Sequence, residues 1–130
     1  MEALARALET HDEAAVEALL SPDVVFLSPA VFRPHAGRDA TMVFLRAAMA
    51  VFEDFRYVRT FTQDGGGGHV MMFEARVGDR TIEGVDIVTV GDDGLVTEFR
   101  VMVRPFTGLA ALAEAMRPRV EGPLEELSRP

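Results

Sequence analysis

RTIEGVDIVTVGDDGLVTEFRVMV, residues 80–103, is the stretch on which the fold turns. Arg80–Val90 and Leu95–Val103 are rich in β-branched and aromatic residues, and Gly91-Asp92-Asp93-Gly94 between them supplies residues that turn a chain tightly. The stretch is a hairpin. Upstream, Phe55–Thr62 and His69–Val77 have the same character and are separated by turn formers at Gly65–Gly68, with Gly78-Asp79 leading into the next strand. Four consecutive strands follow, joined as a meander.

Before the meander the periodicity is helical. Apolar residues occupy almost every face of Arg38–Phe52, which marks a helix packed on more than one side. Val24–Ser28 reads as a strand stopped by Pro29, with a loop running on to Gly37. Residues 2–20 carry leucines, alanines and Val16 at three- and four-residue spacings and read as two helical pieces, the second capped by Asp12. After the meander, Gly108–Arg117 reads as a helix ending before Pro118, and residues 118–130 as a partly ordered tail. The expectation is one domain over residues 1–117. Its class is α+β: a cone-shaped half-barrel in which a curved, mixed, mainly antiparallel sheet wraps a long helix and the N-terminal helices cover the mouth.

Composition removes several functions. The chain has 130 residues, 48% of them hydrophobic and 26% charged, and no cysteine, so it is neither a disordered segment nor a disulfide scaffold. Its 13 basic residues are all arginine, they are scattered, and they face 21 acids, for a net charge of -8; nucleic acid is excluded as a partner. The longest apolar run, Ala40–Phe52, is broken by Arg46 and is shorter than the roughly 20 residues of a bilayer span. No membrane association is expected, and the N-terminus lacks the order of regions of a signal peptide, so the expected location is the cytoplasm.

Over about residues 1–116 the chain resembles the nuclear transport factor 2-like superfamily, in its SnoaL-like and ketosteroid isomerase-like branches. Ser21-Pro22-Asp23-Val24-Val25-Phe26, the loop Pro34-His35-Ala36-Gly37-Arg38, and Glu83-Gly84-Val85-Asp86 followed by Asp93-Gly94 and Arg104-Pro105 carry the likeness. The resemblance implies an apolar cavity inside the cone and a homodimer through the outer face of the sheet. In the steroid isomerase branch a carboxylate before a proline ends the first strand and acts as base; here that position is Ser28, before Pro29. The isomerase's tyrosine on the first helix falls at Leu4. Its protonated, hydrogen-bond-donating aspartate falls at Asp86. Limonene-epoxide-hydrolase relatives need an arginine and a carboxylate where Gly84 and Val101 stand.

Read on its own, Asp86 shares a strand face with Gly84, Val88 and Val90, and an ionised group in such a setting costs several kcal/mol. Its carboxyl either faces the cavity, as proton donor, proton acceptor or polar anchor, or is a structural acid bound to an arginine such as Arg100 or to backbone amides. His35, in the loop before the long helix, is a second catalytic candidate as general base, against the alternative of a solvated loop histidine. Phe26, Ser28, Phe32, Phe99, Val101 and Val103 are the expected ligand-binding residues, few of them polar, which suits an apolar small molecule. His11, His35 and His69 lack the spacing of a metal site, Gly65–Gly68 is not followed by a helix as a phosphate cradle requires, and no serine lies in a nucleophile elbow. No metal or cofactor is implied. The function expected is an acid/base isomerase, cyclase or lyase acting through Asp86 without cofactor, or a non-catalytic ligand-binding or dimerisation module of the same fold.

Overall fold

In a computed structural model that describes residues 1–130, the elements run α1 (Glu2–Glu9), α2 (Glu13–Ala18), β1 (Leu20–Leu27), β2 (His35–Ala36), α3 (Arg38–Val51), β3 (Glu53–Thr62), β4 (Gly68–Val77), β5 (Arg80–Val90), β6 (Val96–Arg104) and α4 (Phe106–Leu127). The strands form one curved, unclosed sheet in the order β2-β1-β6-β5-β4-β3. β1 and β6 pair in parallel and every other pair is antiparallel. The α+β cone expected from the sequence is the observed architecture. Alternation along β5 sends Ile82, Gly84, Asp86 and Val88 inward, all buried, and leaves Glu83, Val85 and Ile87 on the outer face.

α3 lies in the concave side with seven buried residues from Thr41 to Met49. Asp12 caps α2 by accepting from the Ala15 N–H at 3.1 Å, as its position suggested. β1 begins at Leu20, four residues earlier than its β-branched run indicated, and carries Pro22 within a break in its pairing with β6 between Leu20 and Val25. β2 stands in what read as a loop: Ala36 pairs with Val25 and His35 with Phe26.

The C-terminal helix departs most from expectation. It does not stop at Arg117 but continues through Pro118 and Pro123 to Leu127. Each proline removes one intrahelical donor and crowds the carbonyl four residues back. Both prolines and those carbonyl-bearing residues, Glu114 and Arg119, are exposed, so water can serve the released oxygens. On the opposite side Leu112, Met116, Val120 and Leu124 recur every four residues and pack against the cores. Burial of that stripe holds the helix across positions where local preference would end it.

Candidate active site

Asp86 is 5% exposed and has one hydrogen-bond partner, the Tyr57 hydroxyl, which donates to Oδ2 at 2.5 Å. Arg100 is not its partner: that guanidinium pairs with Glu98 at 2.8 Å. No backbone amide reaches the carboxyl either. Burial in apolar surroundings pushes Asp86 up to about 7, against the opposing pull of the Tyr57 bond. Burial also raises Tyr57 well above the usual phenol value, and the neighbouring carboxyl adds to the rise. Near neutral pH the phenol therefore remains a donor while the carboxyl exchanges one proton.

β3 delivers Tyr57. Phe55 and Tyr57 alternate inward, and the pairing with β4 slips on either side of them, between Glu53 and Arg56 and again between Tyr57 and Arg59. The Tyr57 N–H donates to Oε2 of Glu9 on α1 at 3.0 Å, tying the first helix to the strand that carries the phenol. Gly84 matters for the same corner. A β-carbon there would meet the Phe73 ring at 2.6 Å and run into the Met102 carbonyl oxygen, so only glycine lets Phe73 lie across β5. The Phe73 ring meets Tyr57 edge-on, with centroids 6.3 Å apart.

The pair opens on a cavity of about 440 Å³ whose wall has 26 residues, 19 of them hydrophobic. That volume lies in the range of small-molecule sites, with few polar groups available to orient an occupant. Phe26, Ser28, Phe99, Val101, Asp86 and His35 all line it. Two other expected residues do not. Phe32 stands on the 29–37 loop fully exposed to solvent: Pro29, Ala30, Val31 and His35 of that loop line the wall, but the Phe32 ring turns outward. Val103 points inward below the cavity floor and packs with Phe73, Ile82 and Leu112 in a second core at the narrow end.

Ser28 lines the wall, but its Oγ accepts from the Ala30 N–H at 3.1 Å and so shapes the turn after β1. His35 rests its ring on Phe44 with centroids 4.5 Å apart, and its Nε2 is buried without a hydrogen-bond partner among the protein's groups. An unsatisfied group of this kind costs about 1–3 kcal/mol. Burial, then the charge of Arg33, lowers its pKa and keeps the imidazole neutral near pH 7. His11 and Leu8, at the end of α1, close one side of the mouth, and Arg117 and Glu121 of α4 stand at another.

Sequence reasoning missed Tyr57 and the α4 wall. Tyr57 is the only tyrosine and lies two residues from Phe55 in a strand already recognised, so period-two alternation would have placed it inside. Its reach to Asp86 across the intervening β4 is not written locally. Leu112, Met116, Val120 and Leu124 show four-residue spacing, but Pro118 masks its continuity.

A bent sheet wrapped on a helix, enclosing an apolar hollow with a single buried acid, defines the class of cone-shaped α+β proteins with an internal cavity. Residues 1–99 match the SnoaL-like domain family, and the chain belongs to it, within the nuclear transport factor 2-like superfamily. Among solved structures it is similar to a steroid delta-isomerase from Pseudomonas aeruginosa, with 39% identity, 92% of this chain and 88% of that one covered, and a TM-score of 0.86. It is also similar to an uncharacterised bacterial protein with a cystatin-like fold from Silicibacter pomeroyi, with 32% identity, coverages of 97% and 88%, and a TM-score of 0.89. An NTF2-like protein of unknown function from Cytophaga hutchinsonii, 19% identical with coverages of 80% and 86% and a TM-score of 0.62, shares the fold. No curated protein matches the chain. No helix is long and apolar enough to cross a membrane.

Proposed function

We propose that the cavity binds an apolar small molecule and that Asp86, held by Tyr57, exchanges a proton with it, making the protein a cofactor-independent isomerase, cyclase or lyase. The carrying observation is the buried carboxyl bonded only to a phenol inside an apolar wall, a setting that pushes it up to about 7. An acid poised near the operating pH serves proton transfer in either direction, worth about 10²- to 10⁴-fold in rate. The name borne by the Pseudomonas aeruginosa neighbour supports a polycyclic ketone as substrate class. His35 acts elsewhere on the ligand: β6 and β1 lie between its strand and that of Asp86, a separation of about 14 Å along the sheet and less across its concave side.

A second reading is a ligand-binding or dimerisation module without turnover. One observation favours it: Ser28 stands at the position of the family's base, and its hydroxyl is engaged with Ala30. A homodimer would form on the outer sheet face, where Met72, Val85 and Met102 lie side by side across β4, β5 and β6.

A β,γ-unsaturated steroid ketone offered as substrate, with conjugation followed by ultraviolet absorbance, separates the readings. Wild type should convert it, Asp86→Asn should lose at least about 10²-fold in kcat, and Tyr57→Phe should lose less and shift the pH midpoint upward. Tight binding with no conversion by wild type would favour the module.

A further inference from the structure

Two polar side chains line the cavity from separate strands of the sheet's concave face, and only one of them has a partner. Asp86 has the Tyr57 phenol. His35 Nε2 is the one buried side-chain polar atom of the chain with no hydrogen bond from the protein. The fold nonetheless fixes this ring in place. β2 is just long enough to set His35 beside Phe26 in β1, and Phe44 of α3, stacked on Phe26 at 4.8 Å, supports the imidazole from below. Between the two polar groups the floor is apolar: Phe26, Phe99 and Val101, on the two strands that separate β2 from β5.

We infer that the cavity is built for a bifunctional ligand, a rigid apolar body with a carbonyl against the Asp86–Tyr57 pair and a hydroxyl against His35. The inference rests on the reading of the cavity as a ligand site and adds what the far end of the ligand must carry. A neutral imidazole presents either an N–H or a lone pair, according to tautomer, and a hydroxyl is the group that answers both. A cation at that end would be repelled by Arg33, whose charge already acts on the ring. Of the remaining polar side chains on the wall, His11, Arg117 and Glu121 are exposed groups at the mouth, and Ser28 turns its Oγ to the Ala30 N–H beside it. His35 is thus a specificity-determining residue, acting on the end of the molecule away from the proton transfer.

Calorimetric binding of two probes tests this: a steroidal enone, and the same enone carrying a hydroxyl on the ring furthest from its ketone. Wild type should bind the hydroxylated probe about tenfold more tightly than its parent, the gain of one satisfied hydrogen bond. In His35→Phe, which keeps an aromatic ring on Phe44, the ratio of the two dissociation constants should fall to about one, and in His35→Gln part of the preference should return. Asp86→Asn should weaken both probes and leave their ratio intact. Equal affinities in wild type, with both probes still weakened by Asp86→Asn, would overturn the role of His35 and leave the cavity reading standing. Failure of both probes to bind, or indifference of both to Asp86→Asn, would overturn the two together. Should His35→Phe not fold, the ratio measured in His35→Gln decides: a preference fully equal to wild type counts against the inference.

Discussion

At the scale of single residues, Asp86 makes a claim about pH that stability measurements can check without knowing any substrate. Its folded-state pKa of about 7 lies above the ordinary 3.8, so the native state favours the protonated carboxyl. The stabilisation is complete below about pH 4, where both states are protonated, and is lost as pH rises through about 7, where the native chain must ionise a buried acid. The difference between the two states corresponds to at most about 4 kcal/mol. Urea unfolding of wild type and Asp86→Asn across this range should show the variant gaining on wild type as pH rises, with the gap levelling off above about pH 8. A constant gap would mean that the carboxyl is ionised and solvated throughout. Asp86 itself was legible, because an acid flanked by valines and isoleucine on a recognised strand has little choice but burial or exposure of the whole run. Its partner was not, because the Tyr57 contact depends on the packing of three strands.

Elements differ in how much of their structure is local. The meander could be read directly from residues 53–104, since its turns lie at Gly-Asp and Gly-Gly positions and its strands alternate. β2 was hidden because two residues carry no periodicity and become a strand only beside Val25 and Phe26. α4 was cut short because Pro118 outweighs propensity in any local reading, whereas burial of Val120 and its neighbours decides in the folded chain. The narrow end of the cone depends on Gly84, where β5 passes under Phe73. Gly84→Ala should therefore lower the unfolding free energy by about 1–3 kcal/mol, measured by chemical denaturation. Because Phe73 must move and Tyr57 rests against it, the same change should also weaken probe binding. An alanine variant as stable as wild type would show that the ring shifts freely.

For the whole molecule, the outer face of the sheet is the surface whose character is least like that of a solvated wall. Met102 is 51% and Phe61 54% exposed, and Met72, Val85, Val70 and Ile87 lie between them. Beside this patch, Arg56 pairs with Glu74, Arg104 with Glu83, and Arg76 with Glu53 and Asp54, exposed ion pairs that solvent screens. If two copies meet here, Met102→Asp should convert a dimer of twice 14.2 kDa to monomer in light scattering while leaving the circular dichroism spectrum unchanged. A wild-type mass that stays at that of one chain at high concentration would remove the proposal. The borders of the sheet tell a complementary story. One rim is a strand of only two residues; the other is kinked by two register slips and has its Tyr57 amide claimed by Glu9. Neither rim is a straight, unsatisfied template for further strands, which disfavours open-ended fibrous growth by edge-to-edge pairing.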